Sequence, residues 1–161
     1  DRVQETRGVN KGVWGSKTFA FRGLLKCGRC TADITAQDKF KTLKNGDVKR
    51  FVYYNCTRRK DPNCAEKYVN EERLCELMQG FIEKHHEDIK ITEKLRARVD
   101  KHFYTTKTIL THYKIDQKLD NPFIEYARYV LADGTDSERT FLASNMGPML
   151  QIKDGELEFY R

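Results

Sequence analysis

The chain has 161 residues, 39% of them hydrophobic and 34% charged, with a net charge of +6 and an isoelectric point near 9.0. That length suits one domain, or one domain with an appendage, around a core small relative to its surface. The basic balance points to a polyanionic partner. No apolar run nears the ~20 residues of a membrane span and no signal segment opens the chain, so a cytoplasmic protein with no membrane partner is expected. The three serines, Ser16, Ser137 and Ser144, lie outside any G-x-S-x-G, and no phosphate-binding loop or H-E-x-x-H motif occurs. An enzyme acting alone is the weaker reading.

In chain order, residues 1–17 mix Arg2, Arg7, Lys11 and Lys17 with Gly8, Gly12 and Gly15, a pattern that suits a flexible basic linker after a preceding element. Asp1 follows no initiator methionine, so the chain reads as a piece of something longer. Residues 1–70 carry 16 Lys/Arg against 7 Asp/Glu, whereas residues 71–161 carry 14 against 17. So steep a split assigns contact with a polyanion to the first part and support to the second.

The five cysteines decide what the first part is. Cys27, Cys30, Cys56 and Cys64 read C-x2-C, then 25 residues, then C-x7-C. Zn²⁺ favours four thiolates in a tetrahedron, and structural sites bring two short cysteine-bearing turns together. Cys27-Gly28-Arg29-Cys30 is one such turn, with Gly28 expected to relieve crowding beneath the sulfurs. Asp61-Pro62-Asn63 bends the second. Between them Lys44-Asn45-Gly46-Asp47 reads as a tight turn joining strands over Ile34–Leu43 and Val48–Asn55. The alternatives are disulfides, which call for an oxidising compartment, and a redox C-x-x-C, which usually sits beside a β-α-β pattern. Zinc fits the paired turns better. Four protein ligands make the site structural, with one Zn²⁺ and no catalytic residue. Lys26, Arg29 and Arg58 are placed to offset the thiolate charge. Cys75, in step with Leu74, Met78 and Ile82, is expected as a small buried hydrophobe. His85 and His86 are expected to face solvent.

Beyond the ribbon, Asn70 is an N-cap with Glu71 and Glu72 in the first turn, and Leu74, Leu77, Met78, Phe81 and Ile82 form an apolar helical face. Thr92-Glu93 opens a possible helix through Leu95 and Val99, while the threonine-rich Tyr104–Thr111 stretch suits an extended segment equally. Asn121-Pro122 starts a helix that stops at Gly134. Asp136-Ser137 starts another, and residues 151–157 form a hairpin through Asp154-Gly155. The expected fold class is α+β: a zinc β-ribbon hairpin packed on α-helices, with a small C-terminal hairpin.

The run Phe21-Arg22-Gly23-Leu24-Leu25-Lys26-Cys27-Gly28-x-Cys30, with Tyr53-Tyr54-x-Cys56 and Cys64, resembles the zinc β-ribbon of the large serine recombinases. Arg2-Val3-Gln4-Glu5 resembles the helix that closes the preceding domain in that family. The resemblance divides the chain into the end of a recombinase domain and a basic linker (1–18), the zinc β-ribbon (19–70), and a helical support region with a C-terminal hairpin (71–161). It implies a DNA-binding C-terminal fragment that recognises the arm of an attachment site. The serine-bearing catalytic domain lies outside the chain, so the fragment binds DNA without cutting it. The implied partners are double-stranded DNA, other recombinase subunits in a synaptic complex, and a directionality factor. The implied setting is the cytoplasm of a bacterium, as a phage or mobile-element protein. Thr31 departs from the family, which usually has glycine at this left-handed position. The 92–118 stretch is too short for the family's long coiled-coil arm.

DNA-contact candidates fall in three groups: Arg7, Lys11 and Lys17 in the linker; Lys39, Lys41, Lys44, Lys49 and Arg50 on the hairpin; and Arg58, Arg59 and Lys60 on the second knuckle. Most suit phosphate contact, while Arg58 and Arg59 also suit bidentate pairing with guanine. Each lysine taken singly fits a solvated strand face equally well. Phe51, Tyr53 and Tyr54 are expected to bury against the helix after residue 70 rather than stack on single-stranded bases. The competing reading is a zinc ribbon used mainly for protein–protein contact.

Overall fold

A computed structural model describes residues 18–161. A short strand β1 (Leu25–Cys27) leads into the long hairpin of β2 (Ile34–Thr42) and β3 (Val48–Cys56), as the alternation of residue types anticipates. The hairpin is antiparallel, with Ile34 opposite Cys56 and Thr42 opposite Val48. Its turn closes through Leu43 N–H to Asp47 O at 2.7 Å and Gly46 N–H to Leu43 O at 2.9 Å. Gly46 sits at φ +89°, a conformation that favours glycine. A two-residue strand β4 (Val69–Asn70) pairs with Tyr54 and Tyr53 and passes directly into helix α1 (Glu71–His85).

Asn70 caps α1, its side chain accepting from Arg73 N–H at 2.7 Å, and Leu74, Cys75, Met78, Phe81 and Ile82 form the buried face. Strand β5 (Lys90–Ile91) precedes α2 (Glu93–His112), one unbroken helix that runs through Tyr104–Thr111. Of the two readings left open there, the helical one holds. The hydroxyls of Thr108 and Thr111 donate to the carbonyls of Tyr104 and Lys107, four residues back, so these threonines are accommodated within the helix. Helix α3 (Pro122–Asp133) follows with its expected caps, Asn121 and Gly134, and α4 (Asp136–Ser144) starts where expected but is capped by Thr135, which was not singled out by sequence. Thr135 and Glu138 complete a reciprocal capping box on α4. Strand β6 (Met146–Gly147) pairs with β5, and β7 (Leu150–Lys153) and β8 (Glu156–Phe159) form the terminal hairpin over Asp154-Gly155.

One hydrophobic core joins all these parts, from Phe21 and Leu25 through Tyr54 and α1 to Leu142 and Ile152. Tyr54 is fully buried beside α1, whereas Phe51 and Tyr53 are half-buried on the opposite strand face beneath Lys39, Lys41 and Lys49, so the expected burial of the three aromatics against that helix holds for Tyr54 alone. Its hydroxyl donates to Glu71 Oε2 at 2.8 Å and accepts from Phe21 N–H at 3.2 Å. Burial, with Glu71 beside it, pushes the Tyr54 phenol well above its ordinary range. Arg139 of α4 holds the other Glu71 oxygen at 3.2 Å and donates to the carbonyls of Val130 and Leu131. This network ties the ribbon to three helices. His85 is not simply solvent-facing, since its ring packs against Phe81 and Phe159.

The terminal hairpin does more than close the chain. Strand β7 pairs in parallel with β1, Leu25 opposite Leu150 and Cys27 opposite Ile152. Gly28 N–H donates to Ile152 O at 2.7 Å, and a Cβ at Gly28 would stand 2.6 Å from Lys153 Cβ. What glycine permits here is the close approach of the terminal hairpin, not space beneath the sulfurs. Gly28→Ala is expected to lower stability by about 1–3 kcal/mol through overpacking. A urea unfolding curve of the zinc-loaded protein checks this, and an unchanged midpoint would contradict it.

Candidate metal centre and basic face

The first knuckle folds back on itself through Cys27 N–H to Ala32 O and Thr31 N–H to Cys27 O, both 2.8 Å. Thr31 takes φ +61°, as its position in the motif predicts. A β-branched residue is strained there, by about 1–3 kcal/mol. The second knuckle turns through Asp61, whose carboxylate accepts from Asn63 N–H at 2.9 Å, and Arg58 at φ +56° donates its N–H to Cys56 Sγ at 3.2 Å.

These turns bring Cys27, Cys30, Cys56 and Cys64 together, all four sulfurs within 4.8 Å of one another. Cys27 and Cys64 sulfurs are 3.7 Å apart, and Cys30 and Cys56 are 3.3 Å apart. None of the five cysteines is disulfide-bonded. A tetrahedron with Zn–S bonds of about 2.3 Å has edges of about 3.8 Å, so the donor set fits Zn²⁺. Burial raises the Cys27 and Cys56 thiols above their ordinary values. Desolvation opposes ionisation at Cys30 too, yet the Ala32 N–H and neighbouring sulfurs bring that thiol below its usual value. Buried thiols of this kind become thiolates readily only beside a cation, which zinc supplies. Cys75 lies apart on α1, buried, its thiol pushed up to about 11 by desolvation.

The surrounding charges are arranged differently from the expectation. Lys26 pairs with Asp33, and Arg29 is held between Asp154 and Glu66, with Cys64 also within its field. Glu66 is almost fully buried, accepting from Asp154 N–H at 3.0 Å, Gly155 N–H at 3.2 Å and Arg29 Nε at 3.3 Å. It therefore clamps the first knuckle to the terminal turn, a role that sequence spacing does not signal because its partners lie almost 90 residues away.

The hairpin lysines separate cleanly by strand register. Lys39, Lys41 and Lys49 share one face with Phe51 and Tyr53, their ammonium groups 5.1–5.9 Å from those ring centres. Arg50 lies on the other face, bonded to Asp38 at 2.9 Å, near Asp136 and over the Phe19 ring. Lys44 is exposed at the turn. Arg58, Arg59 and Lys60 are exposed together on the second knuckle, where Lys60 donates to Thr31 Oγ1 at 3.1 Å across the two knuckles. Arg7, Lys11 and Lys17 fall outside the described residues. Phe40 and Val48, exposed near the ribbon tip, were not singled out by sequence because strand alternation alone assigns such residues to a core.

Residues 20–82 match the family model of the recombinase zinc beta ribbon domain. Over that segment the chain is similar to recombinase zinc β-ribbons. A solved structure described as a crystal structure of an LSR–DNA complex superposes with a TM-score of 0.47 and 16% sequence identity, covering 98% of this chain. The chain spans 63% of the length of that protein. No curated protein matches. Among the described residues no helix is long and apolar enough to cross a membrane.

One zinc per chain is expected by metal analysis, and its binding should release protons and weaken as pH falls, since raised thiols must deprotonate to ligate. Chelation or Cys56→Ser should abolish the hairpin while the helices partly survive; a circular dichroism spectrum and melt matching the untreated protein would contradict the site. Thr31→Gly should stabilise the zinc-loaded protein by about 1 kcal/mol by removing left-handed strain. A melting temperature that falls instead would show that the Lys60 contact outweighs that strain.

Proposed function

We propose that this chain is the DNA-binding C-terminal part of a serine site-specific recombinase, and that its zinc ribbon holds a basic knuckle against duplex DNA. The observation that carries the reading is the second knuckle of the recombinase ribbon, where Arg58, Arg59 and Lys60 stand exposed on a base fixed by two zinc-ligating cysteines. A rigid base lowers the entropic cost of ordering these side chains on DNA. Lys39, Lys41 and Lys49 add phosphate contacts from one face of the hairpin, and Lys44 from its turn. Arg7, Lys11 and Lys17 precede the ribbon and suit the narrow minor groove. Arg50, bound to Asp38 of β2, serves chiefly to join the two strands of the hairpin, with Asp136 of α4 as a weaker neighbour.

In this reading the chain carries no chemistry of its own. A closed four-cysteine site leaves no open coordination position, and the strand-breaking serine belongs to a domain outside the chain. Other subunits and a directionality factor would meet the full protein in its synaptic complex, within a bacterial cytoplasm.

Titrating zinc-loaded protein into a fluorescent random-sequence duplex, followed by anisotropy, tests the proposal. Affinity should fall by orders of magnitude between about 50 and 200 mM salt. Replacing Arg58, Arg59 and Lys60 together with alanine should leave the melting temperature nearly unchanged and flatten the salt slope by roughly one unit per lost phosphate contact. Arg50→Ala should show the opposite pattern, a lower melting temperature with little change in slope. Absence of binding at low salt would favour a ribbon used for protein contact.

A further inference from the structure

Strand alternation gives the outer hairpin two unlike faces. Lys39, Lys41 and Lys49 share one with Phe51 and Tyr53, whereas Phe40, Thr42 and Val48 lie on the other, in line with Arg50, Val52 and Tyr54. At the base of the ribbon this second face builds the core through Ile34, Tyr54 and Cys56, with Ala36 and Val52 packed against it. Towards the tip it is apolar again, yet Phe40 is 61% exposed and Val48 is 65% exposed. Phe40 stands opposite Arg50 and Val48 opposite Thr42, which makes Phe40 and Val48 diagonal neighbours in a single patch.

The segment that precedes β1 runs along the same face. The Phe21 ring lies 5.8 Å from the Tyr54 ring, between centroids. Four residues nearer the tip, Arg50 sits 5.3 Å over the Phe19 ring and donates to Thr18 O at 3.5 Å. From Phe21 back to Thr18 the chain therefore moves out of the core towards the tip. Trp14 stands four residues before Thr18, beside Val13, and is the only tryptophan in the sequence. Four residues span up to about 13 Å. Phe40 is directly across from Arg50, and Val48 is two residues along the strand from it, about 7 Å. The patch is within that reach. Its charge does not favour phosphate: Arg50 is bonded to Asp38 with Asp136 3.9 Å away, and the lysines project from the opposite face.

We propose that Val13 and Trp14 cover the Phe40–Val48 patch, so that the chain from residue 13 to Phe21 forms one strip along the apolar face of the hairpin. An indole ring suits this place because it covers a large apolar area with few rotatable bonds and leaves its N–H at the wet edge. The strip fastens the linker to the ribbon and leaves the lysine face as the open side of the hairpin. The inference rests on the patch and on the course of the chain from Phe21 to Thr18, and it stands whether or not the ribbon binds DNA.

Tryptophan fluorescence reads this one position, since the sequence holds no other tryptophan. In the full zinc-loaded chain without DNA, the emission should lie to the blue of its value in concentrated urea, and acrylamide should quench it severalfold more slowly. The double substitution Phe40→Ser with Val48→Ser, at exposed positions, should abolish both effects with zinc content and circular dichroism unchanged. Tyr104→Ser with Ile109→Ser, at exposed positions on α2, should leave both effects intact. If the hairpin variant loses zinc, nuclear Overhauser contacts between the Trp14 indole and the Val48 methyl protons of the unsubstituted chain decide the question, and they are expected. Emission equal to the urea value, absence of those contacts, or a response to the α2 pair instead of the hairpin pair would overturn the proposal. So would a blue shift that appears only as the chain is concentrated, which would assign the patch to a second copy. A shift that appears only on adding duplex DNA would overturn it in favour of nucleic acid.

Discussion

Four thiols meeting at the base of the ribbon hold the first half of the chain in shape. A nine-residue, two-stranded ribbon whose outer half is exposed on both faces buries too little to hold itself in one conformation. Convergence of Cys27, Cys30, Cys56 and Cys64 fixes both ends of the ribbon's base at once. Buried thiols resist ionising in isolation, whereas Zn²⁺ makes their ionised form the stable one, so metal affinity becomes folding energy. The local strain at Thr31 and Arg58, both with positive φ, is tolerated because the knuckles are over-determined by that cluster.

Two polar contacts then join this base to the remainder of the chain. Glu66 grips the turn of the terminal hairpin and Arg29 of the first knuckle, while Tyr54, Glu71 and Arg139 link the ribbon to α1, α3 and α4. The buried Glu66 and the partly buried Glu71 each have their partners, as a low-dielectric surrounding requires. The result is a stiff platform from which the tips of the hairpin and of the second knuckle project. Arg58, Arg59 and Lys60 stand exposed at the second of these tips.

Much of this was legible in the residues. The Asn45-Gly46 turn and flanking alternation placed the hairpin to within a residue at each end, and Asn70, Asn121-Pro122 and Asp154-Gly155 marked their caps and turns because those signals are local. The cysteine spacing disclosed the metal site for a related reason: the chemistry of four thiolates permits few other arrangements. What was not legible was long-range. The parallel pairing of β1 with β7 and the clamp at Glu66 depend on partners more than 80 residues away. The same is true of the close approach over Gly28. Within Tyr104–Thr111, β-branched composition suggested an extended segment as readily as a helix, and the threonine bonds to carbonyls four residues back leave the helix intact. The division of the hairpin's basic residues between two faces follows from the register, which the turn geometry sets.

Four cysteines within reach of one another are arranged to hold one zinc in a closed, structural site. X-ray absorption at the zinc edge, measured on the purified full chain, tests it most directly. Four sulfur neighbours at about 2.3 Å, with no oxygen or nitrogen in the first shell, are the predicted result. A mixed shell with a light atom, or fewer than four sulfurs, would mean an open site, and the account of the knuckles as a purely structural base would be wrong.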